Sequence, residues 1–138
     1  AARNAALNGV GEQLAFRCGD AFEQMQQLAA EGERFDVVIL DPPAFIKRRR
    51  DQKSGEHAYQ KLNRAAMNLL TDDAILVSAS CSLHLEESGL IDIVRAAAQQ
   101  AGRELQILEI TGQGPDHPLH PAIAETRYLK TLICRSHR

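Results

Sequence analysis

Cys81, in "VSASCSLHLEES", follows an apolar run directly and precedes what reads as a helix start. A thiol in that place is either an inert core residue or a nucleophile, the second where its surroundings are polar and partly open. Asp41 follows the wholly apolar "VVIL" and precedes Pro42-Pro43, which stiffen the backbone and delay any helix until the chain has left the strand. A carboxylate held there can accept from a cationic or NH-bearing ligand. Asp20, in "CGD", stands where a short strand gives way to a helix, and reads either as a helix N-cap or as a ligand acceptor. Beyond Asp41 lies "FIKRRRDQKSGE", whose Lys47, Arg48, Arg49, Arg50 and Lys53 form either a solvated loop or a phosphate contact.

The elements that must position these groups alternate along the chain. "AARNAALNG" reads as the tail of a helix closed at Asn8-Gly9. "QLAFRC" alternates Leu14, Phe16 and Cys18 on one face, which predicts a short strand. "DAFEQMQQLAAEG" has Phe22, Met25, Leu28 and Ala29 at helical spacing and stops near Gly32. "FDVVILD" predicts a strand buried on both faces, as in parallel sheets. "EHAYQKLNRAAMNLL" predicts a helix with Tyr59, Leu62, Ala66, Leu69 and Leu70 on one face, and "AILVSAS" a second buried strand. "EESGLIDIVRAAAQQAG" predicts a helix ending at Gly102; "ELQILEIT" and "YLKTLICR" then predict two strands joined by a Gly/Pro/His loop and paired antiparallel. The succession indicates an α/β domain, in which ligands bind outside the carboxyl ends of the parallel strands. Asp20, Asp41 and Cys81 all fall at such ends.

Composition narrows the setting. A chain of 138 residues with 44% hydrophobic content suffices for one packed domain without metal or disulfide. Its three cysteines are widely spaced, with no Cys-x-x-Cys pair and no zinc-ligand cluster, so no metal site is expected and a reducing cytoplasm fits best. The apolar runs are too short to span a bilayer and "AARNAALNGVG" lacks a signal-peptide core, so no membrane partner is expected. A net charge of −2 gives no global basic field, which leaves nucleic acid to local charge such as "KRRR".

"FDVVILDPPAF" followed by "ILVSASCS", together with "NG", "GDAF", "AYQKLN", "DHP" and "YLK", resembles the S-adenosylmethionine-dependent 23S rRNA (cytosine-5-)-methyltransferases of the RlmI type over nearly the whole chain. The resemblance implies a Rossmann-like class I methyltransferase sheet, mostly parallel with an antiparallel last strand. It also implies that this chain is one partial methyltransferase domain lacking the first strands, the glycine-rich cofactor motif and the RNA-binding PUA-type domain of such enzymes. On that basis the chain is expected to bind S-adenosylmethionine weakly or not at all by itself, and to re-pair its open strand edges, dimerise through them, or leave "LAFRC" displaced.

By the same resemblance, Cys81 adds as thiolate to carbon 6 of a cytosine, and Asp41 relieves the charge that develops at N3. A helix starting near Glu86 offers its N-terminal dipole to that thiolate. Asp20 and Ala21 lie by the cofactor's adenine, and Asp41 and Pro42 by its methionine moiety. Related cytosine methyltransferases carry a second cysteine after the prolines; here that position is Ala44, which leaves Cys81 as the candidate nucleophile, with Cys18 and Cys134 read as core residues. Lys47, Arg48, Arg49 and Arg50 are expected to meet ribosomal RNA of the large subunit, with Tyr59 and Asn63 supporting the substrate; Tyr59 fits a core position as well. His117 and Lys130 match the family without an evident role. A nitrogen-directed rRNA methyltransferase, which needs no cysteine, and a catalytically silent RNA-contact fragment are the alternative readings.

Overall fold

A computed structural model describes residues 1–138, and in it the alternating pattern becomes eight main elements. They are α1 (Ala2–Leu7), α2 (Ala21–Ala30), β1 (Phe35–Leu40), α3 (Gln52–Met67), β2 (Leu70–Ser80), α4 (Glu87–Ala101), β3 (Glu104–Thr111) and β4 (Lys130–His137). Local chemistry sets several of the boundaries. Asp20 caps α2, its Oδ1 accepting from the N–H of Phe22 at 2.9 Å and of Glu23 at 3.2 Å. At the end of α4, Gly102 takes the left-handed conformation that a side chain resists, and Arg103 N–H closes the turn on Ala98 O.

The four strands form one sheet in the order β1-β2-β4-β3. β1 and β2 are parallel, with Leu40 beside Ser78; β4 runs antiparallel between β2 and β3. Three strands therefore share one direction and only the last in sequence opposes them, as expected. Helices α3 and α4 cover one face, where Tyr59, Leu62, Met67, Leu76, Leu90, Val94, Leu132 and Cys134 make a continuous core. No helix is long and apolar enough to cross a membrane.

The structure corrects four expectations. Residues 14–18 form no strand: Leu14 and Phe16 are half exposed and Cys18 is exposed, because β1 is the outermost strand and the segment does not pair with it. A strand exists through its ladder, so alternation without a partner yields extended chain only. β1 is buried on one face rather than two. Val37 and Ile39 are 53% and 68% exposed, since they share with Ile75, Val77 and Ile133 the sheet face that no helix covers. The third helix starts earlier, at Gln52, so Lys53 is helical. It also ends earlier, at Met67, because Leu70 pairs with Phe35 and opens β2.

Candidate active site at the carboxyl rim of the sheet

β1 and β2 end at the same rim of the sheet, and β4 begins there, Lys130 lying opposite Ser80. The loop after β1, which carries Asp41, and the turn after β2, which carries Cys81, must therefore leave the sheet side by side. A buried set of hydroxyls joins them.

Tyr59, 0% exposed on α3, is the junction. Its hydroxyl accepts from Ser80 Oγ at 2.8 Å and shares a second 2.8 Å bond with Ser82 Oγ. Ser82 Oγ also accepts from the N–H of Ile46 at 3.1 Å, and Ser82 N–H donates to Ser80 Oγ at 3.1 Å. The Phe45 ring leans on the Tyr59 ring with centroids 4.7 Å apart. This approach requires glycine at position 55, where a Cβ would stand 2.3 Å from Ile46 Cγ1. The serines on either side of Cys81 thus tie its turn to the loop that follows Asp41, at low dielectric, where each bond is strong and each orphan costly.

Cys81 itself is half-buried, and its Sγ faces the carbonyl oxygen of Pro42 at 3.9 Å. From the opposite side comes Lys130, 8% exposed, whose Nζ donates to Ser82 O at 2.6 Å. Burial pushes the Lys130 amine below its ordinary value, which a thiolate at Cys81 would pull partly back. In contrast, burial pushes the Cys134 thiol up to about 11, which marks it as an inert core residue.

Two clefts adjoin residues that contact the Cys81 turn. The first, about 650 Å³ and mostly apolar, runs between β1 and the start of α2 and brings together Asp20, Ala21, Asp41 and Pro42. Within it Asp20 spends Oδ1 on its helix, while its second carboxylate oxygen takes no hydrogen bond from the protein. The second, about 500 Å³ and polar, lies under the β3–β4 loop and is lined by Glu87, Gln113, His117, Arg127 and Lys130. Pro42, whose carbonyl faces Cys81 Sγ, lines the first cleft, and Lys130, which holds Ser82 O, lines the second; Cys81 itself lines neither.

Lys47, Arg48, Arg49 and Arg50 are all exposed on the loop leading into α3, and Arg49 shares a polar cleft of about 530 Å³ with His84 and Glu86, just past Cys81. Arg50 Nε lies 3.8 Å from Asp51. Tyr59 and Asn63 are different. Both are sealed inside, and Asn63 Nδ2 is turned back to Tyr59 O at 2.9 Å, so the expected support of substrate by these two cannot be contact with RNA; Tyr59 acts through the loops it holds. Sequence reasoning gave no role to Lys130. The one available signal was the position of "YLK" at the start of the closing strand.

No family model matches the chain. In sequence it is 38% identical over 137 residues to the ribosomal RNA large subunit methyltransferase I of Aeromonas salmonicida, a match covering 99% of this chain and 35% of that protein. The chain therefore spans about a third of the length of the curated relatives it matches. In structure it is similar to SMU.776, assigned as a methyltransferase and crystallised with SAH, with a TM-score of 0.71 at 17% identity over 98% of this chain and 37% of that one. It is also similar to a methyltransferase homologue from Pyrococcus horikoshii, with a TM-score of 0.63 at 19% identity over 96% of this chain and 49% of that one. The sheet order, the rim that carries Asp41 and Cys81, and these likenesses agree: the chain has the class I methyltransferase fold in part, and in sequence it is similar to one third of the ribosomal RNA large subunit methyltransferase I proteins.

Proposed function

We propose that this chain is part of an enzyme that methylates carbon 5 of a cytosine in large-subunit ribosomal RNA, with Cys81 as the attacking thiol. The observation that carries the reading is the place of Cys81. It follows a central strand in a turn held by Ser80 and Ser82, with its sulfur against Pro42 of an apolar cleft that suits a nucleoside cofactor, and its neighbour Ser82 against Lys130 of a polar cleft that suits a nucleotide.

The residues present fit S-adenosylmethionine in the apolar cleft. Asp20 has a carboxylate oxygen left over from capping, Ala21 opens the same helix, Val38 and Ile39 supply an apolar wall, and Asp41 and Pro42 close the end nearest Cys81. When bound, the cofactor supplies an electrophilic methyl group on its sulfonium. Cys81 makes the other partner reactive: its thiolate bonds to carbon 6 of the ring, which turns carbon 5 into a nucleophile. The charge that reaches N3 in that step is relieved by the Asp41 carboxyl group through a hydrogen bond or a proton. Once carbon 5 has been alkylated and has lost its proton to a base, the C–S bond breaks and Cys81 leaves as thiolate.

A thiol can reach carbon 6 only in a base out of its stack, so an unpaired or locally opened segment of RNA is the substrate form. Lys47, Arg48, Arg49 and Arg50 would hold its phosphates beside the site. The test is the product. Methylated RNA digested to nucleosides is expected to contain 5-methylcytidine; methyl groups on ring or exocyclic nitrogens would instead support the nitrogen-directed reading and remove the need for a thiol.

A further inference from the structure

Lys130 is buried in a place where lysine is costly. A fully desolvated ammonium with a single neutral acceptor loses more hydration than one hydrogen bond returns. The structure gives it one protein acceptor, Ser82 O at 2.6 Å, and no carboxylate forms an ion pair with it; the acidic side chain that lines the same cleft, Glu87, is paired with Arg127 at 3.7 Å. The remaining groups facing this region are His117 on the β3–β4 loop and the Tyr59 hydroxyl on α3, which is engaged with Ser80 and Ser82. In the turn that Lys130 holds, the group able to carry a compensating negative charge is Cys81, the residue before Ser82.

We propose that Lys130 is a positioning residue for Cys81, its ammonium holding the Ser82 carbonyl and standing as the counter-charge of the Cys81 thiolate. The inference rests on the reading of Cys81 as the attacking thiol and adds what makes that thiol reactive. Strand register supports it. Lys130 is the first residue of β4 and Ser80 the last of β2, and the two are paired, so the ladder itself delivers the amine to the turn at 81 and 82. Burial pushes the Lys130 amine down, and a thiolate at Cys81 would pull it up.

The test needs neither RNA nor cofactor. In a Cys18→Ser background, which removes the exposed thiol, iodoacetamide alkylation of Cys81 is followed against pH for the parent, Lys130→Gln and Lys130→Arg. Glutamine keeps a donor for Ser82 O and loses the charge. It is expected to slow alkylation at neutral pH by about tenfold and to move the profile to higher pH, while arginine keeps the parent's behaviour. Coincident profiles for Lys130→Gln and the parent would overturn the proposal. Should Lys130→Gln fail to fold, the unmutated lysine answers: its 15Nζ resonance is titrated before and after Cys81 is capped with methyl methanethiosulfonate. A lower Lys130 midpoint after capping is expected, and an unmoved midpoint refutes the coupling. A chain that shows this coupling yet makes no 5-methylcytidine would sink the proposed function and leave the pairing of Lys130 with Cys81 standing.

Discussion

Cys81 directly follows β2 and Cys134 lies within the adjacent β4, so one sits at the rim and the other in the middle of the sheet. Cys134 pairs with Leu76 under α3 and α4, wholly buried among apolar side chains, and its thiol is pushed up to about 11. Cys81 lies beyond the last rung of β2, half-buried, with serines on both sides, the Pro42 carbonyl at its sulfur and the Lys130 ammonium behind its turn. The residue type is the same and the surroundings differ. On the proposed function, position on the α/β sheet separates the thiol that packs from the thiol that reacts, because loops, polar groups and clefts converge at the carboxyl rim.

Exchanging the two roles breaks the comparison most strongly. In the complete enzyme of which this chain is proposed to be part, Cys81→Ala is expected to lower methyl transfer by roughly four orders of magnitude or more with cofactor affinity intact. Cys134→Ala should keep the rate within a few-fold and cost stability instead, about 1–2 kcal/mol for the lost packing. An assay of RNA methylation beside denaturant unfolding separates the two, and an active Cys81→Ala protein removes the thiol from the mechanism.

The alkaline limb sharpens the inert side. Between the ordinary thiol value of 9.0 and about 11, the unfolded chain gives up the Cys134 proton and the folded chain keeps it. The folded state then binds more protons, so the stability that this thiol contributes is fully present below 9.0 and lost as pH rises through the window, on the order of 2 kcal/mol by pH 10.5. Urea unfolding at pH 8 and pH 10.5 should show a larger loss for the parent than for Cys134→Ala.

On the reactive side, Tyr59→Phe removes the hydroxyl at the centre of the clasp and leaves two buried serine hydroxyls short of a partner, a cost of about 1–3 kcal/mol. The rate of methyl transfer should fall further than stability alone explains, because the clasp sets Cys81 relative to Asp41; a rate that merely tracks the folded fraction would reduce Tyr59 to a core residue. The smallest expected effect lies outside the clasp. Replacing Lys47, Arg48, Arg49 and Arg50 by glutamine should flatten the salt dependence of RNA affinity by up to about three log-log units, at ~0.7 per phosphate contact, and an unchanged slope returns the run to solvent.

What could be read from sequence follows the range of the interactions involved. Apolar runs such as "VVIL" and "AILVS", and the Asp20 and Gly102 helix ends, depend on neighbours in the chain, and the structure places the corresponding elements close to expectation. "LAFRC" has the same local alternation but no ladder partner, so its strand did not form and Cys18 came out exposed. The open face of β1 depends on where every helix packs, which local periodicity does not carry. The placement of Asp41 and Cys81 at the rim was legible because strand ends are. Tyr59 and Lys130 were not: each acts at the Cys81 turn through contacts more than twenty residues away in sequence, and a tyrosine at helical core spacing gives no sign that its hydroxyl joins two loops.

The central claim, that chemistry belongs to the rim cysteine, is tested most directly by trapping. RNA containing 5-fluorocytidine at the target position, incubated with the enzyme and S-adenosylmethionine, cannot lose fluorine from carbon 5 as it would a proton, so the C–S bond persists. Mass-spectrometric mapping of the adduct should find the nucleotide on the peptide that contains Cys81. An adduct on Cys18 or Cys134, or methyl transfer with no trapped species at all, would contradict the account.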